Sequence, residues 1–478
     1  MNVIIRIARE EWRQWLRSRL AVLSSIVFVF LLLFTTVLTA LTAREAGHQR
    51  LHQQEQAEST FLDQPDRHPH RMVHYGHYVF RVPPPLAMFD PGVDAVTGQS
   101  LFLEGHRQNS AMFADARAEA RTGGFGLLTP AKLYHLFLPL LVIALGHGVI
   151  LRERESDTLG PLMSQGISGE RLYFGKLLAL GALIVALSLP ALFSSVLASL
   201  LGESLLSASL LYVVNLLYLS IWALLTLLVS LSTRSRGVAL GILSAVWVIT
   251  VLVVPRIGVT SASIALPTEG KILTDMRMNH DLRKIGDGHN AADPAFAKLR
   301  TDLLAQYNVE NLEALPINFR GVVSSESEAA LTETLNAYAE ERMLREQMQS
   351  GHLSAYGLVS PYLAVGGASR NLAGTDLETH HRFLREAEAV RFEFVQGLNQ
   401  AHIEKLSYVD DMNRNKGEEG SRRARVDSAN WQVLQDFRFT PDLAIDRVSR
   451  AVSKLLTLVL WIAALMSIGL LAARRLIP

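Results

Sequence analysis

Six apolar runs interrupt an otherwise polar chain, at about 20–42, 133–151, 177–201, 207–231, 237–255 and 455–473. Each is roughly 19–25 residues long, the length that crosses a bilayer core as a helix. None contains Asp, Glu, Lys or Arg. The first run is longer than the apolar core of a secretory signal, about 7–15 residues, and its small-residue cleavage pattern is poor, so it reads as a retained span. Ahead of it, residues 1–19 set Ile4, Ala8, Trp12, Trp15 and Leu16 on one helical face, with arginines and glutamates opposite. That pattern predicts an amphipathic helix lying along the membrane surface. The competing reading is a charged flank that only orients the first span.

Two long polar segments remain, 43–132 and 256–450. The second reads as mainly helical. Residues 324–349 lack Gly and Pro and favour helix formers. Thr375 and Glu378 have capping-box spacing, and Leu377, Phe383, Leu384, Ala387, Val390, Phe394, Val395 and Leu398 then recur at helical intervals. Residues 271–307 read as helix broken near Gly286 and Pro294. The first segment is less regular, with Pro83–Pro85 and Asp90-Pro91-Gly92 marking turns. The expected fold is an all-α polytopic membrane protein, with six transmembrane helices and a mainly helical external domain.

Charge orients the spans. Arginines and lysines crowd the N-terminal segment, segment 152–176, segment 232–236 and the tail, whereas Gly202-Glu203-Ser204 has none. The positive-inside rule then puts both termini in the cytoplasm and both long segments outside. Arg44, Arg256, Arg447 and Arg450 dissent, but they border long segments, where the rule is weak. Composition agrees with a membrane protein: 49% of residues are hydrophobic and 19% charged, against about a quarter charged in soluble domains. The net charge of +1 gives no sign of a nucleic-acid partner. With no cysteine, disulfides, thiolate metal sites and cysteine nucleophiles are excluded. The chain also has no P-loop, HExxH, GxSxG or dinucleotide-binding glycine pattern. Any ATP-driven work needs a separate subunit.

Segment 152–176, RERESDTLGPLMSQGISGERLYFGK, predicts a helix, a turn and a second helix running into span three. Leu159, Leu162, Met163 and Ile167 share a face, forming an apolar ridge displayed to the cytoplasm as a docking element. Gly166 ends the first helix and Ser168 caps the next. The run Arg152-Glu153-Arg154-Glu155-Ser156-Asp157-Thr158-Leu159, then Leu162-Met163-Ser164-Gln165, Ile167-Ser168 and Gly175-Lys176, resembles the signature of type-2 ABC exporter permeases. The resemblance implies that Ser156–Gln165 is a coupling helix seated in a groove of an ABC ATPase subunit. Glu153, Glu155, Thr158 and Leu159 match family residues at the membrane-facing edge of that contact, and Leu162 and Met163 lie on the ridge. Asp157 stands where the family commonly has glycine. The outer stretches HYGHYVFRVPPPLAMFDPGVDAVTG and SPYLAVGGASRNLAGTDL resemble a bacterial subfamily with a large uncharacterised external domain.

This resemblance implies a permease subunit in a bacterial inner membrane, with its domain in the periplasm. It implies an ATPase partner that binds the ATP, a second permease of the same or a related kind, surrounding lipid, and a periplasmic partner as a further candidate. The substrate is not encoded. Some relatives of this architecture act as mechanical transmitters instead of pumps, so that reading stands beside export. A third reading starts from HPHRMVHYGH, where His68, His70, His74 and His77 crowd ten residues. These four are candidate ligands for an external metal ion, in a metal-binding protein or membrane-anchored enzyme. Ordinary surface and packing histidines are the simpler alternative. An envelope sensor is disfavoured because the inner segments are too short for an output domain.

Overall fold

The computed structural model describes residues 3–112, 128–434 and 436–476. Residues 113–127 of the first polar segment lie outside the described residues. Among the described residues, six helices are long and apolar enough to cross a membrane: α2 (Arg19–Leu62), α4 (Pro130–Glu155), α6 (Gly169–Leu200), α7 (Leu205–Ser232), α8 (Arg236–Ala265) and α14 (Ala444–Arg474). The remaining labelled helices are α1 (Val3–Arg17), α3 (Pro69–Tyr75), α5 (Leu159–Ser164), α9 (Lys271–Leu282), α10 (Ala297–Tyr307), α11 (Phe319–Ala355), α12 (Pro361–Ala373) and α13 (Leu377–Lys405). One small antiparallel sheet pairs β1 (His77–Phe80) with β2 (Ser100–Leu103), in register His77 with Leu103.

The spans differ in how much of their apolar surface the chain itself covers. The most apolar windows of α4, α6 and α7 are 67%, 50% and 61% buried, whereas those of α2, α8 and α14 are 17–22% buried. The first three form the centre of the bundle, and the other three leave broad apolar faces for lipid or another subunit. Helix α12 was read from sequence as part of the external segment. It packs Ala364, Val365, Ala368, Leu372 and Ala373 into the core that it shares with the bundle. Its 13 residues are too short to span a bilayer.

Prolines shape the bundle. Pro139 and Pro255 each follow a π-helical stretch, Leu133–Phe137 and Val248–Val253. A proline has no N–H to give and its ring crowds the carbonyl four residues back, so the helix widens just upstream. At Pro190, a neighbouring side chain repairs the ladder. The Tyr134 hydroxyl donates to Leu187 O at 3.1 Å and accepts from Ala191 N at 2.8 Å. Asn215 joins helices, as its residue type suggests. His135 donates through Nε2 to Asn215 Oδ1 at 3.2 Å, and Asn215 donates to Leu211 O. His147 bonds back to its own helix, through Ile143 O and Ala144 O.

Helix α2 does not stop with its apolar run. It continues for 44 residues and delivers Phe61 into the core of the domain. The first polar segment, expected to be less regular than the second, thus begins as helix up to Leu62. These residues are strong helix formers without proline, but they are polar on every face, so no periodicity betrays the helix. Around Phe61 the two polar segments close on one core. Met72, Val73, Val79, Leu101 and Leu103 come from the first, and Phe383, Phe394, Val395, Leu398 and Trp431 from the second. Domain and bundle are also joined by Glu203, in the turn between α6 and α7. It meets Arg447 at 2.6 Å, with both side chains buried, and Arg447 donates to Leu372 O. The charge of Arg447 is thus paired inside the chain. So is that of Arg450, held by Asp376 and Asp442.

Candidate functional site

The hairpin between α4 and α6 is built from two tight helix endings. The first is at Asp157, whose φ of +54° is left-handed. Thr158 N donates to Glu153 O at 2.9 Å across the reversal, and the Thr158 hydroxyl donates to the same oxygen at 3.1 Å. This is the closure in which glycine is usual, because a Cβ costs energy at positive φ. Asp tolerates that conformation better than most residues, so the backbone keeps a glycine-like turn without glycine. The second ending is at Gly166, φ +84°, where Ile167 N donates to Leu162 O at 3.3 Å. Ser168 then caps α6 by accepting from Arg171 N.

The apolar ridge is not turned outward. Leu159 is only 2% exposed, and Met163 and Ile167 pack against the bundle core. Apolar side chains beside the bundle gain more by covering it than by facing water. Leu162 is half-buried, and the exposed residues are Ser156, Asp157, Thr158, Pro161, Ser164, Gln165 and Gly166. The outward face is therefore polar and small.

Each charge of Arg152-Glu153-Arg154-Glu155 is used inside the chain. Arg152 pairs with Glu11 of α1, and Glu153 with Lys176 of α6. Lys176 also reaches Glu11 at 2.7 Å. Arg154 donates to Thr233 O at 2.5 Å, and Glu155 pairs with Arg236, accepting as well from the Arg236 backbone N–H at 2.8 Å. The hairpin is thereby stapled to α1, to α6 and to the turn between α7 and α8. Helix α1 lies close: a Cβ on Gly175 would sit 2.6 Å from Ile7. Trp12 and Trp15 donate their indole N–H groups to Ala179 O and Leu145 O, both at 3.1 Å. Glu11, placed by sequence on the polar face of α1, is 1% exposed. Its position four residues before Trp15 was visible; its salt bridges were not.

The four histidines proposed as one ligand set do not come together. His77 is buried beside Gln54, 3.3 Å away. Burial pulls its pKa down to about 4, against a weaker opposing bond to the Ala57 backbone. His68 caps α3 and meets Asp411 Oδ1 at 3.1 Å, while His402 meets Asp411 Oδ2 at 2.7 Å. Burial alone would raise the Asp411 carboxyl, but bonds from His402 and His68 hold it far below the usual carboxylate range. Only His70 and His74 stay together, one turn apart on α3, joined by His106 and His289. Burial, reinforced by the charges of His106, His74 and His289, pushes His70 down to about 2. The i, i+4 spacing of His70 and His74 was a usable local signal. His289 and His402 come from more than 200 residues away and had none.

Residues 273–440 match a domain of unknown function (DUF3526), which covers most of α9, then α10 to α13 and the loops around them. No curated protein matches the chain. The ABC-2 family transporter protein family matches residues 5–295, from α1 through the hairpin and past the fifth span. That match takes in more than half of the 478 residues and every element that the hairpin is stapled to, and the chain belongs to the ABC-2 family of transporter proteins.

Proposed function

We propose that Ser156–Gln165 in the hairpin is where an ABC ATPase subunit docks, and that this chain converts the nucleotide-driven movement of that subunit into export or envelope-directed movement of a substrate. Membership in the family makes the chain a membrane permease component of an ABC transporter. The observation that carries the coupling role is the fourfold stapling of Arg152-Glu153-Arg154-Glu155. A merely solvated loop has no need to tie every charge to three other elements. A hairpin that must pass force into the bundle does. Thr158 contributes to the docking face with half-buried Leu162 beside it, Glu153 and Glu155 lock the hairpin to its neighbours, and Leu159 and Met163 seat it on the bundle.

The lightly covered faces of α2, α8 and α14 suit a second permease and surrounding lipid. In a bacterial inner membrane, the arginine-rich hairpin end and both termini are cytoplasmic and the domain is periplasmic. A partner in the envelope would meet that domain. The mechanical-transmitter reading rests on the same coupling and differs only in what the domain moves.

The test is co-purification of the ATPase with detergent-solubilised protein bearing Thr158→Arg, Ser164→Arg and Gln165→Arg together. These residues are exposed, so the variant is expected to fold and to lose the ATPase. Full retention of the ATPase would overturn the docking role.

A further inference from the structure

We propose that His70, His74, His106 and His289 form a binding site for a divalent transition metal, Zn²⁺ foremost, that clasps the two polar segments of the domain together. The proposal does not rest on the ATPase reading.

One ligand atom from each of the four residues lies within 4.8 Å of all the others. His70 Nε2 and His74 Nε2 are already 3.2 Å apart. Tetrahedral zinc with bonds of about 2.0–2.1 Å needs ligand nitrogens about 3.4 Å apart. Small side-chain rotations therefore close the set around an ion. Imidazole is a good ligand for zinc, copper and nickel, and an all-nitrogen set excludes calcium and magnesium, which take oxygen.

Two of the rings are held as metal-ligating histidines usually are. His106 Nδ1 meets the Glu328 carboxylate at 2.9 Å, and His289 Nδ1 meets Asp287 at 3.2 Å. A carboxylate on one ring nitrogen orients the ring and raises the basicity of the other nitrogen. On His106 that other nitrogen, Nε2, is buried and has no hydrogen-bond partner. The backbone at His106 is left-handed, φ +66°, an unfavourable conformation for a non-glycine residue. It sets the ring against the other three, at centroid distances of 4.9–5.4 Å. Glu328 is itself anchored by Arg391 at 2.5 Å, so the support reaches the buried middle of the domain. His289 is half-exposed on its loop, which leaves an entry path for the ion.

The neighbouring group of His68, His402 and Asp411 is different. Asp411 already receives His68, His402, Asn318 and Arg414, with Arg320 at 3.5 Å. Its oxygens are occupied and two guanidinium groups oppose a cation there. The ligand set of the proposed site draws three residues from the first segment and one from the loop between α9 and α10. Metal would fix that loop, and with it the approach of α9, to the sheet and α3.

The experiment uses the full-length chain in detergent, stripped with a chelator and dialysed against Zn²⁺, with bound metal counted by elemental analysis and thermal unfolding followed in parallel. One Zn²⁺ per chain and a raised unfolding temperature are expected. His289→Ala, on its exposed loop, and His74→Ala should each weaken binding at least tenfold and abolish the thermal shift. His48 and His52 are an exposed i, i+4 pair on α2, and replacing both with alanine should change neither. No bound Zn²⁺ in the parent chain, or binding that survives His289→Ala but disappears without His48 and His52, would overturn the site.

Discussion

The Glu11 carboxylate and the Lys176 ammonium meet at 2.7 Å, and neither side chain is more than 3% exposed. Lys176 answers both Glu11 and Glu153, so it is the charge on which the cluster depends. Removing one member of a buried ionic group typically costs about 3–5 kcal/mol. Lys176→Met strands two carboxylates with Arg152 as their remaining partner. Glu153→Gln leaves the Glu11 pair intact. The expected order of thermal stability in detergent is parent, Glu153→Gln, then Lys176→Met, with the last also losing ATPase stimulation.

Asp157 gives a prediction of opposite sign. Its left-handed backbone favours glycine by about 1 kcal/mol. Asp157→Gly should therefore raise the unfolding temperature slightly. Asp157→Val should lower it and loosen the hairpin. Hydrogen exchange at Thr158, whose N–H closes the turn, reports the difference directly.

The Tyr134 hydroxyl fills the gap that Pro190 opens in α6. Tyr134→Phe leaves Ala191 N and Leu187 O facing each other without the bridging group, in surroundings that supply no water. A loss of about 1–3 kcal/mol is expected. The check is an equilibrium unfolding series in mixed micelles against the parent chain.

Acid should destabilise the domain. His77 and His380 are both pulled down to about 4, burial being the larger cause in each, with Arg81 adding to it at His380. Below pH 6.5 the unfolded chain binds protons at these residues that the folded chain refuses. Stability is complete above that pH and falls as pH drops toward 4, by about 1.4 kcal/mol per pH unit for each proton. Unfolding temperatures measured between pH 7.5 and 4.5 should show this slope, and His77→Gln with His380→Gln should make it shallower, leaving the part due to His70, which burial pushes down to about 2.

The spans were readable because bilayer length imposes a block of apolar residues whatever its neighbours do. Residues 152–176 were readable as two helices because Gly166 and Ser168 mark their ends locally. Which way that hairpin faces was not, since the ridge of Leu159 and Met163 is equally suited to a partner or to the bundle, and only packing decides. The histidines show the same limit more sharply. His68, His70, His74 and His77 are close in sequence, yet α3 and β1 send them to three different environments. His289 reaches His70 through the fold of the whole domain. Local spacing predicts ligands only when one element presents them all.

Helix α2 runs unbroken from Arg19 to Leu62, about 66 Å at 1.5 Å per residue. Ser18 alone separates it from α1, whose Glu11 belongs to the hairpin cluster. A rod of this length would amplify any tilt at its hairpin end. A tilt of about 5° there would displace Phe61 by about 6 Å, so that a small motion at one end of the rod would become a large one at the other.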